Sequence, residues 1–404
     1  MTELPEATIT SGKVRGAWRD GVAVFHGIEY ATAERLKPPG LVKAWRGVRE
    51  ASVRGPVAPQ LESRFDGYIG KVQPIPVGED CLRASVFTPG LEGKRPVMLF
   101  LHGGAYVTGS GEDHRYGGGR LARDGGVVVI NISYRLGALG YLHVPAMGIL
   151  NLGLEDQWAG LRWVKANAAA FGGDPENITL FGQSAGAHAI AAMLAGGAQS
   201  LVKRAILQSP PLGSPITEEG ADKVSGNFLL GLRQAVETAP VSAILSAQAA
   251  TLEAVGGGMV FGPVVAGFGP PGRAEGLQIL AGWTLDDAAP FVGRMGEDAD
   301  AMTERVFGAR RGCSRRTGRR RGLRRISTAS AGGPRVRRWG RGIAWNWPCC
   351  WARLRIGLTR RCWATPRQGR WRRWAISCAW PGRLSRGEEP RHKLPPGWSG
   401  SNTA

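Results

Sequence analysis

The sequence predicts an α/β fold, a mostly parallel sheet flanked by helices, over residues 10–305 of 404. Three observations predict it. Residues 97–101 and 127–134 are continuous apolar runs, as strands buried on both faces require. Helical spacing alternates with such runs, the pattern of strand–helix units. A Gly-x-Ser-x-Gly sits between an apolar run and a small-residue helix.

The elements follow in order. Residues 14–30 alternate apolar and polar around Asp20-Gly21, a hairpin signal. Residues 31–80 are rich in Pro and Gly and read as loops. Residues 154–170 have helical spacing and stop before Phe171-Gly172-Gly173. Residues 178–181 read as a strand and 185–194 as an Ala-rich helix. Residues 205–208 and 277–281 are further strands. Residues 55–80 and 210–260 read as pocket-lining loops without a specificity code.

The net charge of +20 is unevenly placed. Residues 310–404 hold 24 Arg and 1 Lys against 2 Glu, while residues 1–309 carry a net charge of −3. That segment also holds 9 of the 14 Trp and 5 of the 6 Cys. The expected organisation is therefore a domain over 1–309 and a basic tail over 310–404 that forms no domain. Cys81 has no partner in the body, which fits a reducing, cytoplasmic location. The first 13 residues lack an apolar core, and no apolar run nears the ~18 residues of a membrane span. Neither a signal peptide nor a membrane partner is expected.

The chemistry concentrates at Gly182-Gln183-Ser184-Ala185-Gly186. A strand entering and a helix leaving such a turn expose the serine Oγ at the carboxyl edge of a sheet, and the glycines relieve crowding. A purely structural glycine turn is the alternative. His102-Gly103-Gly104-Ala105 follows the strand at 97–101 and can aim backbone N–H groups at a developing oxyanion. With Ala185, the N–H groups of Gly103 and Gly104 make a three-donor hole. His102 reads as a loop-shaping residue.

Further stretches carry a family resemblance: Phe25-His26-Gly27-Ile28-Glu29-Tyr30-Ala31; Glu79-Asp80-Cys81-Leu82; Tyr134-Arg135-Leu136-Gly137-Ala138-Leu139-Gly140; Asn151-Leu152-Gly153-Leu154-Glu155-Asp156-Gln157; and Phe171-Gly172-Gly173-Asp174-Pro175. With the elbow and glycine loop, in this order, they resemble the type-B carboxylesterases, the family of cholinesterases and bacterial para-nitrobenzyl esterases. The resemblance implies an α/β-hydrolase fold, a small-molecule ester substrate, an acyl-enzyme on Ser184, and no metal or organic cofactor. It places the triad acid at Asp287, within Trp283-Thr284-Leu285-Asp286-Asp287, where the family usually has Glu. Helix capping by Asp286 and Asp287 is the alternative. Ala266 stands where the family usually has Asp. Arg135, Asp156 and Asp174 read as ion-pairing or capping residues, and Cys81 as a small buried residue.

The family's catalytic histidine has no counterpart after Asp287; His392 alone lies downstream, in the tail. The genetic code suggests why. Read from the third base of each codon, residues 345–352 encode Glu-Leu-Ala-x-Leu-Leu-Gly whichever synonymous codons are used, resembling the segment after that histidine. Three positions earlier, the triplet spanning Gly342 and Ile343 encodes His when Gly342 is GGC. In the same frame, residues 325–330 permit Tyr-Leu-Tyr-Arg-Phe, like the strand before the histidine loop. Residues 380–387 likewise permit a segment resembling the closing helix. A frameshifted C-terminus is thus expected, leaving an incomplete hydrolase that lacks its last strands and is impaired as translated. A non-catalytic, cholinesterase-like binding protein is one alternative. Non-specific nucleic-acid binding through an Arg/Trp-rich tail is another. Nucleotide sequencing across codons 300–345 is expected to show GGC at Gly342; any other glycine codon removes the restored histidine.

Overall fold

A computed structural model describes residues 3–63, 70, 72–256, 258–265, 276–284, 287–288 and 299–307. The strands are β1 (Glu6–Ile9), β2 (Gly12–Arg15), β3 (Ala17–Arg19), β4 (Val22–Glu29), β5 (Val48–Glu50), β6 (Arg83–Thr88), β7 (Arg95–Leu101), β8 (Val128–Ile132), β9 (Gly173–Gln183), β10 (Arg204–Gln208) and β11 (Gln278–Gly282). The α-helices are α1 (Gly119–Gly125), α2 (Gly137–Tyr141), α3 (Leu152–Asn167), α4 (Ala185–Ala195), α5 (Glu218–Leu232), α6 (Val241–Ala254) and α7 (Ala299–Val306).

Eight strands form the central sheet in the order β11-β10-β9-β7-β8-β6-β4-β3. The run from β11 to β8 is parallel, and β6, β4 and β3 extend it antiparallel. β1, β2 and β5 make a separate three-stranded sheet. Central strands bury apolar side chains on both faces: Val97, Leu99, Ile130, Ile178 and Leu180 join one buried cluster, and Phe100, Val129 and Phe181 another. Each such side chain contributes roughly 1.5–3 kcal/mol relative to exposure.

The turn at Asp20-Gly21 closes a two-residue hairpin, with Arg19 facing Val22. Both turn residues have positive φ, 49° and 74°, as a type I′ turn demands. The β4–β6 register shifts between Phe25 and Ile28. At that bulge the Gly27 N–H donates to the buried Glu112 carboxylate at 3.1 Å.

The architectural expectations hold. Arg135 and Asp156 form a buried pair, Nη2–Oδ1 2.7 Å and Nε–Oδ2 2.8 Å, which joins the β8–α2 turn to α3. The Asp174 carboxylate accepts the Glu176 N–H at 2.9 Å, a turn cap. Cys81 is free and fully buried, and burial pushes its thiol pKa up. Ala266, Asp286 and the tail over 310–404 lie outside the described residues.

Two expectations fail: the 31–80 stretch read as loops carries β5, paired with β2, and a second segment read as loop is helical. The segment 210–260 is not loop: it contains α5 and α6. Thr217 caps α5 by accepting the Gly220 N–H, and Ala221, Val224, Ser225, Phe228 and Leu232 form its buried face. α6 starts after Pro240 and buries Ile244, Ala247, Gln248 and Thr251.

Asp156→Asn leaves the buried Arg135 guanidinium without its counter-charge, so the unfolding free energy is expected to fall by about 3–5 kcal/mol. Urea unfolding followed by circular dichroism measures it.

Candidate active site

The parallel strands end in register at one edge. Leu101 faces Gly182, and Gln183 faces Gln208, which faces Gly282. The residues that follow, His102, Ser184, Ser209 and Trp283, therefore leave the sheet along one rim, where open α/β sheets build their sites.

Ser184 sits at the turn between β9 and α4 with φ 53° and ψ −121°, a backbone region that strains a side-chain-bearing residue. The turn persists because its surroundings hold it. The Ser184 N–H donates to the Gln208 carbonyl at 2.9 Å, and the His188 N–H donates to the Ser184 carbonyl at 2.9 Å. A Cβ on Gly182 would stand 2.7 Å from the Leu101 carbonyl oxygen, and one on Gly186 would overlap that same oxygen. Only glycine at both positions lets the elbow sit against the end of β7.

The glycine loop lies against this turn. A Cβ on Gly103 would be 2.8 Å from the Gln183 carbonyl oxygen and 3.3 Å from Ser184 Cβ. Gly104 has φ 114°, and its carbonyl accepts from the N–H groups of Val107 and Thr108, both at 3.0 Å. Ala105 and Tyr106 follow with φ 54° and 63°, two consecutive left-handed non-glycine residues that cost of order 1 kcal/mol or more each. Ala185, the third expected donor, is the first residue of α4, where N–H groups lack helical acceptors.

His102 shapes the loop, as expected. It is fully buried, its Nδ1–H donates to the Gly103 carbonyl at 2.8 Å, and its ring stacks on Tyr134 at 4.2 Å and 9°. The Tyr134 hydroxyl donates to the His102 carbonyl at 2.7 Å. Burial lowers the His102 pKa to about 4, so the ring is neutral near pH 7.

Asp287 leaves the rim two strands away, after β11. It is buried, and its two oxygens accept from Thr284 N–H at 2.8 Å and Thr284 Oγ1 at 2.5 Å. Trp283, Ala288, Met302, Val306 and Phe307 pack into a small cluster behind it. The structure thus brings Ser184, Gly103, Gly104 and Ala185 together and holds Asp287 further along the same rim.

The sixth histidine, His392, is outside the described residues; the five described ones are engaged elsewhere. His26 Nδ1 meets Ser85 Oγ at 2.7 Å, and His102 meets the Gly103 carbonyl. His114 lies 3.5 Å from Asp113, and His143 lies 3.6 Å from Asp222. His188 meets Tyr106 at 2.8 Å. Sequence reasoning missed this last contact, since nothing in the pattern pairs two residues 82 positions apart. No group of metal-ligating side chains and no membrane-length apolar helix occurs among the described residues.

A parallel sheet with an antiparallel flank, a strained serine between strand and helix, and a glycine loop against it define an α/β-hydrolase. The carboxylesterase family model matches residues 3–232, and the chain belongs to that family. A probable N-octanoylanthranilate hydrolase of Rhodococcus erythropolis is 41% identical over 307 residues, 71% of this chain and 68% of that protein. The para-nitrobenzyl esterase of Bacillus subtilis is 39% identical over 238 residues, 56% of this chain and 48% of its own length. Among solved structures, a carboxylesterase of Geobacillus stearothermophilus superposes with a TM-score of 0.61 at 37% identity, covering 71% of this chain and 63% of that one. By family the chain is a carboxylic-ester hydrolase.

The buried histidines make stability depend on pH. Burial holds His26 and His102 at about 4 and His188 at about 3, below the unfolded value of 6.5. The unfolded chain binds more protons below pH 6.5, so stability is complete above that pH and falls as pH drops toward 4. Each histidine contributes at most about 1.4 kcal/mol per pH unit. Buried Glu112, whose carboxyl is raised by burial, opposes the trend. Urea midpoints are expected to be lower at pH 5 than at pH 7, with a shallower dependence in His26→Gln.

Proposed function

We propose that this chain is built for acyl transfer from a small carboxylic ester to Ser184, and that its translated form lacks the general base. The approach of Gly103 to Ser184 carries the first part: a Cβ on Gly103 would stand 3.3 Å from Ser184 Cβ, so the glycine loop lies beside the serine at the rim of one sheet. Ser184 Oγ attacks the ester carbonyl carbon and gives up its proton to a base. The N–H groups of Gly103, Gly104 and Ala185 hold the oxyanion. The C–O bond to the alcohol breaks, and the alcohol leaves with the proton. Water then attacks the acyl-enzyme, releases the acid and restores the hydroxyl. No metal or organic cofactor enters this scheme.

Asp287 serves as the acid that orients the base. Thr284 fixes its carboxylate, and it follows β11, two strands along the sheet from the β9 strand that carries Ser184. A third side chain must link them. The five described histidines all have other engagements, which supports a base lost from this reading frame. The shifted frame supplies one at the Gly342/Ile343 boundary.

Loss of one triad member leaves the oxyanion hole and substrate binding, which retain about 10³–10⁴ over water in a well-studied serine protease. The translated chain is expected to hydrolyse p-nitrophenyl acetate only at this residual level. Restoring the frame ahead of codon 342 is expected to raise kcat by about 10⁴-fold or more. Ser184→Ala, or replacement of the restored histidine, should abolish the gain. Full esterase turnover by the translated chain, lost on Ser184→Ala, overturns the missing-base reading.

A further inference from the structure

Beneath the glycine loop lies a buried polar contact that acyl transfer itself does not use. Tyr106 stands three residues after Gly103, and His188 four residues after Ser184, one turn along α4. That helical spacing places His188 on the elbow's own face. Tyr106 Oη and His188 Nδ1 share a hydrogen bond of 2.8 Å, and their rings meet edge-on at 5.8 Å and 73°. Both side chains are fully buried. Burial lowers the imidazole to about 3 and raises the phenol well above its usual value, so the contact joins two neutral groups.

An apolar pair would fill this space without desolvating a hydroxyl and an imidazole. The polar pair adds direction. Tyr106 is also held on its other sides: its ring packs on Tyr141 at 4.7 Å, and its carbonyl accepts the Gly137 N–H at 2.7 Å. Gly262 leaves the ring room, since a Cβ there would be 2.8 Å from it. Tyr106 thereby ends the loop at a fixed point relative to α4.

We propose that Tyr106 and His188 are positioning residues: their hydrogen bond ties the loop bearing Gly103 and Gly104 to the helix bearing Ser184, so donors and nucleophile keep one spacing. The proposal rests on the acyl-transfer reading of that site. Oxyanion donors act within about 2.7–3.1 Å of the developing charge. A displacement of about 1 Å can cost on the order of 10²-fold in rate.

The test uses the full chain and three variants, Tyr106→Phe, His188→Leu and His188→Gln. Amide hydrogen exchange over residues 102–109 and the residual hydrolysis of p-nitrophenyl acetate are measured. Tyr106→Phe and His188→Leu are expected to speed exchange in that segment about tenfold while exchange in α3 stays unchanged. They are expected to lower kcat about tenfold at constant KM. His188→Gln, which keeps a hydrogen-bonding group, should restore both. Unchanged exchange in Tyr106→Phe overturns the proposal. Faster exchange with no fall in kcat, or loosening spread across the whole sheet, overturns it too. Failure of the acyl-transfer reading shows elsewhere, as a frame-restored chain whose turnover ignores Ser184→Ala.

Discussion

The close approach of two backbones at Leu101 governs this molecule's chemistry. The last residue of β7 presents its carbonyl oxygen to the turn that follows β9, and only hydrogen atoms at Gly182 and Gly186 fit beneath it. A side chain at either position would lift the elbow off the sheet. Ser184 would then lose its backbone hydrogen bond to Gln208, and the glycine loop its close approach to the elbow. The strained dihedrals of Ser184, Ala105 and Tyr106 persist for the same reason. Each is over-determined by packing on both sides, which is how a fold keeps costly backbone conformations at a reactive centre.

Much of this was legible in the sequence because the relevant signals are local. β7 ends in the apolar run at 97–101, β8 sits within that at 127–134, and the buried end of β9 reads as a short strand at 178–181. Asp20-Gly21 carries its own turn geometry. The elbow and the glycine loop were legible because glycine at those positions answers a steric demand. What escaped was non-local or amphipathic. α5 shows a clear buried face at Ala221, Val224, Ser225, Phe228 and Leu232, with Thr217 and two glutamates at its start. Its glycines and serine masked the apolar stripe. α6 is anchored partly by a polar residue, Gln248, whose Oε1 accepts the Ala138 N–H at 2.9 Å. A buried glutamine weakens the very periodicity that reveals a helix. The Tyr106–His188 contact is legible only once β7 and α4 lie side by side.

The same rim that concentrates the donors also defines what a base must do. Ser184 and Asp287 leave the sheet from strands separated by β10, and each is held by its own local hydrogen bonds, to Gln208 and to Thr284. Neither can swing to meet the other without breaking those contacts. In the acyl-transfer scheme proposed above, the imidazoles of α4 and of the glycine loop do not link the two, because each is held by its own hydrogen bond. His188 is tied down by Tyr106, and His102 by Gly103 and Tyr134. Burial keeps both neutral, with no drive to accept a proton near pH 7. Two imidazoles, one on the elbow helix and one at the start of the glycine loop, are thus neutral and fixed by hydrogen bonds, His188 to Tyr106 and His102 to the Gly103 carbonyl.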